Sequence, residues 1–282
     1  MSFNLTESAK RKILVVAHRG ACGGNIPCNT IASYNIALKQ GADMIEIDVD
    51  MSVDGKLYIF HPGMEKPHLG HNRAIREMVS TDIETLRFNN MDETPTQFGL
   101  NTLDEVLEEF KGRCYINVDK FWDHPEPIAK AIQRHGMQEQ ILVKSTVQPN
   151  VLSILKELAP DLCFMPIVSS EHPMHKELLE SGIRYVGVEV LFDKETDEVC
   201  QPEFLSRMHK DGILVWANAI IYNYLAQLTA GHSDDTALTK DEQEGWGWLA
   251  DRGFDLIQTD WPLMLSEYLN RTNRLYRTGL NV

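Results

Sequence analysis

The 282 residues read as an α/β protein of the TIM (β/α)8 barrel class, with a small insertion after the second strand. Three observations predict this. Apolar, parallel-type strands begin near residues 13, 43, 114, 140, 161, 185, 213 and 256, and eight βα units at this length suit a closed barrel. His18, Glu46, Asp119, Lys144, Glu189, Trp216 and Thr259 stand at or near the C-terminal strand ends, the rim on which such barrels build their chemistry. No GxGxxG follows the first strand, which sets the open doubly wound sheet behind the barrel.

Residues 13–17 are a continuous apolar run, as a parallel strand buried on both faces requires. The run ends at His18-Arg19-Gly20, and a glycine-rich loop continues to Pro27. Asn29 or Thr30 then caps a helix whose apolar positions extend from Ile31 to Leu38 and stop at Gly41. In the stretch 43–61, Met44, Ile45, Ile47 and Val49 alternate with Glu46, Asp48 and Asp50. Residues two apart on a strand share a face, so the acids fall in one row that is costly without a positive partner. Asp50 reads as a solvated acid beyond the strand end. Val53-Asp54-Gly55-Lys56 is a hairpin turn, and the run after it ends on His61.

Residues 62–100 form an excursion with a short helix over 81–87. Alternation then resumes. Strands are expected at 114–119, 140–144, 161–166, 185–190, 213–217 and 256–259. Helices are expected at 101–110, 126–135, 149–158, 172–181, 202–210 and 262–270, with helical segments near 221–229 and 242–252. Residues 230–241 read as a surface loop, and the chain 1–282 as a single domain.

A formal charge of −14 argues against nucleic acid or an anionic membrane as partner, while leaving room for an anionic substrate in a locally basic pocket. Five cysteines in no CxxC arrangement point to a reduced, cytoplasmic setting. The polar start, followed by a five-residue apolar run at 13–17, is too short for a signal-peptide core or a membrane span, so no stable membrane association is expected.

Glu46 and Asp48 share a strand face, and Asp119 ends the next barrel strand. Three carboxylates with positions left open suit one hard divalent cation, Mg²⁺ or Ca²⁺. His18 and His61 flank them with ordinary pKa values near neutrality, as proton donor and acceptor in either order. Arg19 suits a bidentate phosphate clamp or a salt bridge to a carboxylate of the cluster.

His18-Arg19-Gly20, Asn29-Thr30, the run from Gly41 to Val49, Asp54-Gly55 and His61 resemble the glycerophosphodiester phosphodiesterases, as do Trp216-Ala217-Asn218 and Thr259-Asp260-Trp261-Pro262. The resemblance covers nearly the whole barrel. It implies one divalent cation on Glu46, Asp48 and Asp119, with His18 and His61 moving protons while a small phosphodiester is cleaved. Three positions depart from the family pattern: Cys28 replaces its Glu, Pro62 its Asp beside the histidine, and Phe121 its Lys.

Lys144 is the expected replacement for the missing lysine, because Lys120 should point away from the barrel interior. Glu189 and Asn218 are candidates for substrate hydroxyls, Trp216 for an apolar pocket wall, and Cys28 for a small buried residue. The remaining histidines (His68, His71, His124, His135, His172, His175, His209 and His232) read as loop or surface residues, with His68 and His71 in an excursion able to cover the pocket. The expected activity is metal-dependent hydrolysis of a glycerophosphodiester to an alcohol and glycerol phosphate. The alternatives are a phospholipase D-like or phosphoinositide-type lyase giving a cyclic phosphate, and a catalytically weak phosphoester-binding protein.

Overall fold

The computed structural model describes residues 3–277. Its strands are β1 (Leu14–Ala17), β2 (Met44–Met51), β3 (Leu57–Ile59), β4 (Tyr115–Asp119), β5 (Ile141–Ser145), β6 (Cys163–Ser169), β7 (Gly187–Leu191), β8 (Leu214–Asn218), β9 (Ile221–Asn223), β10 (Ala226–Gln227) and β11 (Leu256–Thr259). The order β1-β11-β8-β7-β6-β5-β4-β2, closed by β1 against β2, is a parallel eight-stranded barrel, and β3 adds antiparallel to the outer end of β2. Helices between the strands complete the TIM barrel.

Alternation within each strand decides what faces inward. Leu14, Val16, Met44, Leu142, Met165, Leu214, Trp216 and Leu256 fill the barrel interior as one apolar cluster. Val15, Ile45, Ile47, Val118 and Val143 belong to the larger cluster beneath the helices. Two residues beyond Met44 on its face comes Glu46, and two further Asp48, so the acid row faces inward just above the apolar layers. Register brings Glu46 beside Asn117 and Asp48 beside Asp119.

The excursion after β3 has a small core of its own, in which Phe60, Leu69, Ile75, Met78, Ile83 and Phe88 pack with Tyr58. Its helices are Glu65–Leu69 and Ser80–Ile83, the second shorter than expected. Arg76 ties this unit to the barrel through Asp50 (3.3 Å) and Asp123 (3.5 Å). This corrects the reading of Asp50. Strand β2 runs on to Met51, and Asp50 is fully buried, with His124 Nε2 also 3.1 Å away. Its partners come from distant loops.

Residues 221–229 are not helical. Asn223 Oδ1 accepts the N–H groups of Leu225 and Ala226, and this side-chain turn folds β9 and β10 into a short hairpin over the rim. Nor is 230–241 a plain surface loop. Ser233 caps the helix Asp234–Thr239, and His232, Ser233 and Asp234 are buried. Three histidines read as loop or surface residues are buried with partners. His172 and His175 share the Tyr185 hydroxyl at 2.9 and 3.1 Å, and His232 stacks on Trp248 with ring centroids 3.8 Å apart. An N-terminal helix, Leu5–Arg11, was not anticipated, its apolar content being limited to Leu5 and Ala9. Among the described residues no helix is long and apolar enough to cross a membrane.

Candidate active site

The rim opens into a cleft of about 510 Å³ lined by His18, Arg19, Glu46, His61, Asp119, Lys144, Glu189 and Asn218, among others. Asp48 and Trp216 lie beneath these residues. The first turn of the site follows β1. Arg19 adopts a left-handed backbone (φ 54), as does Gly20 (φ 81), and a Cβ on Gly20 would lie 2.7 Å from the Ser33 backbone carbon. Glycine is therefore required for the chain to double back on its helix, and the turn aims the Arg19 N–H at Glu46 Oε2 (2.9 Å).

Oxygens of Glu46, Asp48 and Asp119 lie within 4.8 Å of one another. Asp48 Oδ2 accepts from Asn29 Nδ2 at 2.8 Å and pairs with Arg19 Nε at 2.9 Å. Asp48 Oδ1 is buried without a hydrogen-bond partner among the described residues. Burial, followed by the charge on Asp48, pushes the Glu46 carboxyl up to about 7. An orphaned carboxylate oxygen and a carboxyl driven toward protonation by its neighbours are what an acidic cluster displays without its counter-charge. The donor set thus fits a hard divalent cation.

Asp119 behaves differently. Burial works against its charge, but Lys144 and Lys120 outweigh it and hold the carboxyl below its usual range. Lys120 Nζ sits 2.7 Å from Asp119 Oδ2 and 3.9 Å from Asp48 Oδ1, lining the cleft. The expectation that Lys120 points outward was wrong. Its φ of 59° ends the extended conformation at Asp119, so strand alternation no longer governs its direction. Lys144 is buried, paired with Glu189 Oε2 at 2.7 Å and placed 4.2 Å from the centroid of the Trp216 ring. Asn218 donates to Glu189 Oε1 (2.6 Å) and accepts from Trp216 Nε1 (2.9 Å). Trp216 is fully buried beneath the site rather than forming its wall, because Lys144 covers its face.

The two imidazoles have different supports. His18 Nδ1 donates to Asp260 Oδ1 at 2.8 Å, whereas His61 Nδ1 donates to the Pro62 carbonyl at 2.9 Å. Each ring is thereby fixed in the tautomer that leaves Nε2 free. Burial opposes a charge on His18, yet the Asp260 bond and the Glu46 charge prevail and raise its pKa. Burial lowers the pKa of His61; Asp48 opposes this, and Arg19 and Lys120 add to it. The Cys28 thiol is pushed up to about 12, chiefly by burial, so it carries no thiolate near neutrality.

Sequence reasoning missed Lys120, Asp260 and Tyr222, the last reaching the cleft from the rim hairpin. Asp260 stands in the Thr259-Asp260-Trp261-Pro262 motif, and that position was the available signal. Lys120, next to Asp119, was set aside on strand alternation, and nothing local marked Tyr222.

Fold and rim together define a parallel TIM barrel whose C-terminal face sets three carboxylates and two imidazoles around one basic-flanked cleft. A family model described as a domain of unknown function matches residues 164–269. A glycerophosphodiester phosphodiesterase of Bacillus subtilis is 30% identical over 171 residues, covering 54% of this chain and 58% of the relative. The chain thus spans about three fifths of that relative's length. A glycerophosphoryl diester phosphodiesterase of Parabacteroides distasonis superposes with a TM-score of 0.79 at 17% identity, over 99% of this chain and 95% of the other. A phosphodiesterase of Oleispira antarctica, solved in complex with the product sn-glycerol-3-phosphate, superposes with a TM-score of 0.69 at 22% identity over 94% and 99%. At these identities the structural likeness concerns the fold. In sequence, the chain is similar to the glycerophosphodiester phosphodiesterases over about half of its length.

Proposed function

We propose that this chain is a metal-dependent phosphoric diester hydrolase that cleaves a glycerophosphodiester to an alcohol and glycerol phosphate. The observation that carries the reading is the grouping of Glu46, Asp48 and Asp119 within 4.8 Å, opposite His18 and His61 in one cleft. The product named for the Oleispira protein suits the same substrate class. Glu46, Asp48 and Asp119 would hold one divalent cation, Mg²⁺ or Ca²⁺. Bound there, it would supply positive charge to a non-bridging phosphate oxygen as negative charge builds.

The remaining roles belong to side chains. Arg19 and Lys120 flank the cluster and neutralise phosphate charge; Arg19 keeps Nε on Asp48, which leaves its terminal nitrogens for the substrate. His18, bonded to a carboxylate that stabilises its imidazolium, suits the acid that protonates the leaving oxygen. His61, held by a neutral carbonyl with Nε2 unprotonated, suits the base that takes the proton of the attacking water or substrate hydroxyl. Glu189 and Asn218 line the far wall, where substrate hydroxyls would reach them. Five free cysteines fit a reduced, cytoplasmic setting.

The test is release of glycerol phosphate from glycerophosphocholine, -ethanolamine, -inositol and -glycerol with Mg²⁺ or Ca²⁺, with EDTA as control. Turnover should vanish on chelation and fall about 100-fold or more in His18→Ala and His61→Ala. No turnover on any of the four, or turnover indifferent to chelation, would defeat the reading.

A further inference from the structure

Behind His18 lies a carboxylate that the proposed chemistry does not use. Asp234 is 3% exposed, and no cation among the described residues pairs with it. Its Oδ1 accepts from Trp246 Nε1 and Thr259 Oγ1, both at 2.7 Å, and its Oδ2 from the N–H of Asp260 at 2.8 Å. Thr259 Oγ1 in turn accepts the Trp261 N–H at 2.9 Å. The backbone on both sides of the Asp260 carbonyl is thereby anchored.

That anchoring matters because the Asp260 side chain is 50% exposed, and among the described residues its one hydrogen-bond partner is His18 Nδ1. A half-solvated carboxylate holds a ring in place only if its own backbone is fixed. The delivery of Trp246 points the same way. It sits in a π-helical turn, Gln243–Gly247, an irregularity that opens the helix and is found mostly where a side chain must be placed off the regular pitch. Gly245 lets that turn approach closely, since a Cβ there would lie 2.7 Å from Ser233 O, next to Asp234.

We propose that Asp234, with Thr259 and Trp246, is a positioning unit that fixes Asp260 on His18 Nδ1 and so keeps His18 Nε2 directed into the cleft. A buried carboxylate satisfied by neutral donors alone is a costly device for stability, and burial raises its pKa to about 6. Placing a catalytic ring accounts for its presence.

The catalytic part of this inference rests on the hydrolase reading, so the test has two arms. In the first, kcat of the cation-loaded full chain should fall about 10-fold or more in Asp234→Asn and Thr259→Val with KM nearly unchanged, as for other residues that orient an active-site histidine. Thr259→Ser, which keeps the hydroxyl, should rescue most of the loss. In an Asp260→Ala background, Asp234→Asn should cost nothing further, because coupled residues act as one unit.

In the second arm, ¹⁵N NMR of the His18 ring should show the Nδ1-protonated tautomer in the wild type and a mixture in Asp234→Asn. Trp246→Phe should do the same more mildly and replaces Asp234→Asn if that variant does not fold. Additive losses in the double variant, or an unchanged His18 tautomer in a folded variant, would overturn the proposal. A wild type inactive on every phosphodiester would refute the hydrolase reading alone, leaving the NMR arm to decide the positioning.

Discussion

Cation-free protein should become less stable as pH rises, and a divalent cation should restore the loss. Glu46 carries the effect. Its carboxyl ordinarily titrates at 4.5 and in the fold at about 7, first through burial and then through Asp48. The folded state therefore holds an extra proton between those values, so stability falls as pH rises through that window. At about 1.4 kcal/mol per pH unit, the ionised carboxylate costs about 3 kcal/mol. A cation held by Glu46, Asp48 and Asp119 would offset that cost, and its binding would displace the proton.

The assay is thermal unfolding of chelator-stripped protein with and without millimolar Mg²⁺ or Ca²⁺, at about pH 5 and about pH 8. The cation should raise Tm by roughly 5–10 °C more at the higher pH, given about 2–4 °C per kcal/mol in chains of this size. Glu46→Gln should remove the difference between the two pH values. An equal Tm rise at both pH values, or none at either, would refute the assignment of the cluster.

Three further outcomes follow from the geometry. Lys144→Ala should cost about 3–5 kcal/mol in urea unfolding, because it strands Glu189 as a buried unpaired charge, while Lys120→Ala should chiefly raise KM. A Lys144→Ala variant as stable as wild type would show that the pair is not buried in solution. Gly20→Ala should lower stability by about 2 kcal/mol or more and reduce turnover, since φ of 81° and the Ser33 backbone both exclude a side chain; calorimetry and kcat check it. Asp50→Ala should loosen the excursion from the barrel and speed proteolysis within residues 62–100, read as the rate of nicking relative to wild type.

The barrel was legible because each strand is a short aliphatic run, and because alternation along β2 placed Glu46 and Asp48 on one face without any tertiary information. The same rule failed where the backbone leaves the extended region. At Lys120 a left-handed residue redirected the side chain, and the strand pattern carries no sign of it. Ile221, Tyr222, Leu225 and Leu228 have spacing close to helical, yet the Asn223 side-chain turn prevails because Tyr222, Tyr224 and Leu225 are exposed and no apolar face exists to bury. Asp50, His172, His175 and His232 were misread for a different reason. Their partners stand far off in the chain, and a polar residue of unknown partner reads as solvated.

The proline at position 62 was the departure that left His61 without an adjacent acid. In the fold, that position supplies a carbonyl oxygen to His61 Nδ1 instead of a carboxylate, and under the proposed mechanism this difference would divide the labour of the two histidines. A carboxylate on Nδ1 favours imidazolium, as at His18, whereas a carbonyl fixes the same tautomer without stabilising the charge. Burial works against a charge on both rings, and Arg19 lowers both pKa values. At His18 the Asp260 bond and Glu46 prevail and raise the pKa, whereas at His61 the Asp48 charge is outweighed and the pKa falls. Two rings of identical chemistry are thus driven apart by their supports, one toward holding a proton and the other toward accepting one, as the proposed acid–base pair would require.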